Sequence, residues 1–317
     1  FKKNLSDCLK LSDYKSFEKR KNLSLKNNKY RGIGISTYIE ACGGGGPEYC
    51  YLKIGGNGNV EVKIGTQSNG QGHSTSYSQI VSEVLNIDIN QINIIQGNSI
   101  EIPKGSGTGG SRSMPVGGNA LLLASKKFLK NTQELLAKHF KTDPNNIIYE
   151  KGFFKFNNKN YSFSDLTKLF NIQESLNINT DWAPKPGTYT YPNGTHICEL
   201  EIDKFSGFVK IINYSVVDDF GKVINPLLLE GQVHGGIVQG IGQALFEETI
   251  YDENGQLQSG SFMDYAIPRA SDVPYFNFSY NEVMCKNNLL GIKGAGEAGA
   301  IGAPPAVINA LCNALNV

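Results

Sequence analysis

The chain has 317 residues and a mass of 34.6 kDa, enough for two ordinary domains with their own cores, so a small scaffold stapled by disulfides or metals is excluded. A composition of 40% hydrophobic and 19% charged residues is globular, and no apolar run approaches the ~20 residues of a membrane-spanning helix. Thirty basic and 29 acidic residues leave a net charge of +1, too little general field to attract nucleic acid or an anionic membrane, so any polyanion must be gripped by local geometry.

The first thirty residues, rich in Lys, Asn and Ser, carry a weak helical pattern around Leu9 to Arg20 and read as a surface helix and a connector. From Gly32 the pattern turns to strands: GIGISTYIEA, YCYLKIGG and NVEVKIGT, read as antiparallel sheet with a hairpin turn at Gly-Asn-Gly, residues 56–58. A helix is expected from about Ser74 to Leu85, then a strand QINIIQG, a glycine-rich loop from Lys104 to Gly118 and an apolar helix from Asn119 to about His139. Periodicity fades between Leu166 and Pro186, and Ala-Pro-Lys-Pro-Gly at 183–187 reads as the crossing between two lobes, residues 1–180 and 181–317. The second lobe alternates strands (THICELEID, GFVKIINYSVVDD) around a turn at Asp203 to Gly207. A glycine-interrupted helix from about Gly235 to Glu248 follows, and a closing helix is expected from Pro304. Without a regular βαβ beat, the fold class is α+β: mixed and antiparallel sheets with packed helices.

The six cysteines are scattered without a C-x-x-C pair, which argues against a zinc ribbon, an iron–sulfur run or a disulfide framework and for a reducing, cytoplasmic compartment. No signal-like segment opens the chain and residue 1 is Phe, so a piece of something longer is expected.

Glycine is the informative excess: 36 of 317, clustered rather than spread. The same local grammar, a glycine loop running into a helix, is read four times: at 65–81, 105–123, 231–245 and 291–311. Glycines let backbone N–H groups approach a ligand, and a helix start adds unpaired donors and partial positive charge, so such loops hold phosphates and oxyanions. Any one of them also reads as a turn; four suggest a large ligand with several anionic or polar groups. Both GSGTGG (105–110) and GAGEAG (294–299) match G-x-G-x-x-G, but neither follows a strand in a βαβ unit, so dinucleotide binding of that type is rejected; a P-loop is absent.

Within the second loop Thr108, Ser111, Ser113 and Arg112 combine hydroxyls, bare amides and a guanidinium fork suited to phosphate, against the alternative of a solvated serine-rich loop. Gln71 and His73 flank Gly72 before a helix and can bond the same ligand. Gln232 and His234 sit among Gly236, Gly240 and Gly242, which equally suit close helix packing. Glu297, a carboxylate in a glycine loop beside Ala295, Ala298 and Ile301, reads as a pocket base with a tuned pKa or as a helix-start glutamate favoured by the dipole.

The stretches GTQSNGQGHSTSYSQIV, GTGGSRSMPVGG, VDDFGKVINPLLLEGQVHGGIVQGIGQAL, SFMDYAIPRASDVP and GIKGAGEAGAIGAPPAV are long and specific. From about Arg31 to Leu315 the chain resembles the molybdenum-cofactor subunit of the xanthine oxidase group, and within it the large chain of aerobic carbon monoxide dehydrogenases. The resemblance implies a molybdenum-dependent oxidoreductase acting on a small molecule. It implies molybdopterin cytosine dinucleotide held by Gly70, Gln71, Gly72, His73, Thr108, Gly109, Gly110, Ser111, Arg112, Ser113, Gln232, Lys293, Gly294, Ala295 and Gly296. It further implies Glu297 as the general base, no side chain bonded directly to molybdenum, and electrons leaving through a [2Fe-2S] small subunit and an FAD-binding medium subunit in a dimer of heterotrimers. The family's active-site loop, with the cysteine that holds copper in true carbon monoxide oxidisers, would lie before Phe1, so copper is unassigned and the substrate open. The competing reading is a non-catalytic module that binds a dinucleotide or another phosphorylated ligand.

Overall fold

The computed structural model describes residues 1–43, 46–55, 57–170, 177–182 and 188–317, with 177–182 described by backbone alone. In chain order the elements are α1 (Lys2–Leu11), α2 (Phe17–Lys26), β1 (Lys29–Ile39), β2 (Glu48–Ile54), β3 (Val60–Ile64), α3 (His73–Leu85), β4 (Ile92–Ile95), α4 (Asn119–Phe140) and β5 (Ile148–Glu150). They continue as β6 (Phe153–Phe156), β7 (Lys159–Tyr161), α5 (Phe163–Phe170), β8 (Asn177–Trp182), β9 (Asn193–Asp203), β10 (Val209–Asp219), α6 (Pro226–Leu245), β11 (Phe276–Asn281) and α7 (Ala298–Leu315). The class is α+β, as expected.

The chain forms two compact units, one of residues 1–42, 191–284 and 293–317, the other of 43–190 and 285–292. This differs from the linear division at 180/181. The reason is strand pairing: β1 runs antiparallel to β9, with Gly34 opposite Cys198, so the N-terminal segment belongs with residues more than 150 positions away. The proline-rich crossing at 183–187 and Gly56 of the Gly-Asn-Gly turn lie outside the described residues.

In the first unit the sheet order is β1-β9-β10-β11, antiparallel except for the parallel pair β10–β11. Strand β9 is buried along nearly its whole length, so even its acids need partners. Glu199 is paired by Arg20 and Arg31 at 2.8 and 2.5 Å, and Glu201 by Arg31 at 3.1 Å and Lys29 at 2.9 Å. Two short helices, α1 and α2, replace the single surface helix expected. Helices α6 and α7 cover the opposite face over a core of Tyr214, Val216, Val233, Ile237, Ile241 and Val307.

The expected third loop does not exist. Asn225 caps α6, its side chain accepting from the Leu228 amide at 3.0 Å with Pro226 at the first helical position, so Gly231 to Gly242 are helix interior. The glycines serve packing: a Cβ at Gly236 would meet the Gly299 Cα at 3.0 Å, and one at Gly240 the Ala303 Cβ at 2.7 Å. Helix α7 begins six residues before Pro304, and Gly240 leaves the room that the Pro304 ring takes up. At 18 uncharged residues α7 is long and apolar enough to cross a membrane, yet its Gly299, Ala303, Ala306 and Ala310 face is buried in the first unit.

In the second unit the order β4-β3-β2-β8 pairs β2 antiparallel to β3 and to β8, with β3 and β4 parallel. Helix α3 connects that parallel pair, so one βαβ crossover stands where no regular beat was read. Strands β5, β6 and β7 make a small antiparallel sheet.

Candidate functional site

The candidate residues divide between the two units. In the second unit, Gly72 takes a left-handed backbone (φ 76°) and starts α3, with His73 the first helical residue. His73 is buried, and loss of hydration pushes its pKa down to about 4, so the imidazole is neutral. It lies 5.1 Å from the Tyr77 ring, and its Nδ1 is 3.4 Å from the Gln96 amide. Gln71 is only half-buried, and its side-chain oxygen accepts from the Asn69 amide and the Ser68 hydroxyl.

The loops at 65–72 and 105–112 are laced together. The Thr108 hydroxyl donates to the Gln67 carbonyl at 2.6 Å and lies 3.2 Å from the Ser113 hydroxyl. The Tyr77 hydroxyl donates to the Ser113 carbonyl at 3.0 Å and pairs with the Thr66 hydroxyl at 2.8 Å. Gly65 and Gly105 touch backbone to backbone, and a Cβ at either would collide with the other. From Ser113 to Gly118 the chain winds as a π-helical turn that continues into α4.

Gly70, Gly109 and Gly110 behave differently: a Cβ there would meet no described atom within 4 Å. Bare backbone on an open face is what a close-lying polar or anionic ligand needs, and a cofactor with phosphates fits it. Arg112 does not lie on that face. Its guanidinium is buried, paired with the fully buried Glu48 carboxylate, and donates to the Gly107 carbonyl at 2.8 Å and the Gly46 carbonyl at 3.0 Å.

In the first unit, Glu297 is exposed and occupies the N-cap of α7, its carbonyl accepting from the Ile301 amide at 3.2 Å. Ala295 is half-buried, Ala298 buried and Ile301 exposed, a less apolar setting than the sequence suggests. The loop before it is tied at two points. Gln232, from the second turn of α6, donates to the Gly296 carbonyl at 2.7 Å. Lys293 is buried and donates to Asp219 at 2.5 Å, so its ammonium is spent on the end of β10 rather than on a ligand. Gly294 is buried and Gly296 exposed. His234 packs on the Phe276 ring at 5.2 Å, in keeping with the packing reading of that helix.

Glu48, Thr66 and Tyr77 hold the loops and went unread in the sequence. A glutamate opening a strand reads as surface, and only the partner 64 positions on shows otherwise. Tyr77, by contrast, falls at an i+4 position from His73 on the predicted helix, a signal that was available.

The profile of the molybdopterin cofactor-binding domain family matches residues 7–274. The chain is 32% identical to the nicotine 6-hydroxylase large subunit of Paenarthrobacter nicotinovorans, over 96% of this chain and 40% of the relative. It is 30% identical to the carbon monoxide dehydrogenase large chain of Afipia carboxidovorans, over 98% of this chain and 41% of the relative. A crystal structure of Cu,Mo-CO dehydrogenase superposes with a TM-score of 0.88 at 28% identity, over all of this chain and 43% of the other. The chain therefore spans about two fifths of the length of the curated relatives it matches. With the profile covering well over half its residues, the chain belongs to the molybdopterin cofactor-binding domain family.

Proposed function

We propose that this chain is part of the molybdenum-binding catalytic subunit of a hydroxylase or dehydrogenase. The observation that carries the reading is the lacing of the loops at 65–72 and 105–112 to one another, with open space at the Cβ positions of Gly70, Gly109 and Gly110. The backbone at Gly70 to Gly72 and at Thr108 to Ser113 would hold the anionic part of a molybdopterin dinucleotide, for which the cytosine form is our reading. Bound there, the group supplies two-electron oxidation of a substrate carbon with water as the oxygen source.

The rest is the work of this chain's own side chains. Neutral His73 and Gln71 orient the first loop, and Gln232 and Lys293 fix the loop at 293–297. In this reading Glu297, an exposed residue at a helix start, serves as the general base and takes a proton onto a carboxylate oxygen. A glutamate in that glycine loop favours an enzyme over a binding-only module, which needs the loop amides but has no use for a carboxylate. In the same reading electrons leave to partner subunits holding [2Fe-2S] and FAD, in a cytoplasmic dimer of heterotrimers. Relatives named "large subunit" and "large chain" support an assembly with other subunits.

The test is Glu297→Gln in the assembled enzyme. Molybdenum and pterin content should stay at wild-type level while turnover falls about 10²–10⁴-fold. Near-normal turnover removes Glu297 from the chemistry. A folded assembly with no molybdenum or pterin moves the loops to another anion.

A further inference from the structure

We propose that Glu48 is the positioning residue of the 105–112 anion loop, acting through Arg112, and that Arg112 itself does not contact the anion. This rests on the reading of that loop given above.

A phosphate-binding arginine must present its fork to the ligand. Arg112 instead turns its fork inward, with a side-chain exposure of 5%, onto a Glu48 carboxylate of zero exposure. One Glu48 oxygen accepts from the guanidinium and the other from the Tyr49 amide at 3.0 Å, so the buried charge is paired on both sides. The two terminal guanidinium nitrogens also collect carbonyl oxygens, Gly107 at 2.8 Å, Gly46 at 3.0 Å and Pro47 at 3.5 Å, while Nε is buried without a hydrogen-bond partner among the described residues. Two further loop carbonyls are engaged by backbone donors, Gly109 by the Arg112 amide at 3.3 Å and Gly110 by the Gly43 amide at 3.1 Å.

The consequence is a matter of sign. A peptide carbonyl repels an anion and a peptide N–H attracts it, and the two point in opposite directions from one peptide plane. A loop whose carbonyls at 107, 109 and 110 are all engaged by the protein's own donors has the polarity an anion requires. Gly109 and Gly110, open within 4 Å, lie in that stretch. Glu48 makes this possible by cancelling the charge of Arg112, so that the guanidinium stays inside as a collector of carbonyls instead of swinging out as a cation.

Charge attraction alone and the strut give opposite predictions for one variant. Glu48→Gln removes a negative charge from beneath an anion loop and frees Arg112. By charge alone pyrophosphate should bind more tightly; by the strut it should bind at least about tenfold more weakly, the worth of one hydrogen bond to a charged group. The experiment measures inorganic pyrophosphate affinity of the full chain at low and high salt, together with amide hydrogen exchange across 105–113. Wild type, Glu48→Gln, Arg112→Met and the double variant Glu48→Leu with Arg112→Met are compared, the last leaving no buried charge to prevent folding.

The expected result is weaker pyrophosphate binding and faster exchange at 105–113 in all three variants, with the wild-type salt dependence retained in Arg112→Met, because a buried pair is screened little. Equal or tighter binding in Glu48→Gln overturns the proposal. So does a flattened salt dependence in Arg112→Met, which would place the guanidinium on the anion. If the wild type binds no pyrophosphate and carries no pterin, the anion-site reading itself fails. Exchange in Glu48→Gln then decides the strut alone: acceleration supports it and unchanged rates overturn it.

Discussion

Replacing Gly34 by alanine tests how α7 is seated. A Cβ at Gly34 would run into the Ala306 carbonyl oxygen and the Ala310 amide nitrogen, and would come within 2.8 Å of the Asn309 carbonyl carbon. All three are backbone atoms of α7, so no rotamer change relieves the clash; β1 and the helix must separate. Overpacking costs about 1–3 kcal/mol, and a clash confined to backbone belongs at about 3 kcal/mol. For a unit of about 160 residues that lowers the melting temperature by about 6–12 °C. The matched control is Gly231→Ala on α6, where a Cβ meets no described atom within 4 Å. There the helix gains up to about 1 kcal/mol, because alanine loses less backbone entropy than glycine. Thermal unfolding of the full chain reads both. If Gly34→Ala melts within a degree of wild type, or Gly231→Ala falls as far as Gly34→Ala, backbone proximity is not what the glycine at 34 provides. Glu297 stands at the N-terminus of this helix, so on the function proposed above a folded Gly34→Ala variant should also lose turnover in the assembled enzyme.

Two further outcomes follow from buried polar groups. His73 has its pKa held near 4 against about 6.5 in the unfolded chain, so the unfolded state takes up the proton first; the stability is full above pH 6.5 and is lost as pH falls through 4. Urea unfolding across that window should show the pH slope of His73→Gln reduced by about one proton; an unchanged slope means that His73 is not buried neutral. Asn119 accepts from the Leu289 and Leu290 amides at 2.9 and 3.1 Å and donates to the Pro115 carbonyl at 2.7 Å, anchoring residues 285–292 to the start of α4. Asn119→Ala should cost about 3 kcal/mol for the stranded amides, and Asn119→Asp, which keeps the acceptor, should recover part of it; equal loss in both would place the cost elsewhere.

Local patterns carried far in this protein. The alternation in YCYLKI and NVEVKI predicted β2 and β3, the long apolar period predicted α4 within a residue or two, and the turn at Asp203 to Gly207 joins β9 and β10 as read. Glycine was ambiguous. The spacing at 231–242 looks like that at 105–110, yet one is a helix face and the other an open loop. A glycine inside a helix costs about 1 kcal/mol by propensity, and only a partner surface, here Gly299 and Ala303 of α7, offsets it. Arginine was ambiguous in the same way: Arg112 has the chemistry of a phosphate ligand, and Glu48 across 64 positions makes it a buried strut.

By itself the sequence determined the α+β class, most elements, the loops at 65–72 and 105–112, and the motifs shared with the molybdopterin cofactor-binding family, because these depend on residue type and spacing within one or two turns of chain. Only the tertiary structure decided that β1 belongs with β9, that the third glycine run is helix, that Lys293 and Arg112 are spent internally, and that Gly70, Gly109 and Gly110 stay open. Each of those outcomes turns on which distant group buries or neutralises a residue, and the cost of an unpaired charge or a crowded backbone appears only when the two segments meet.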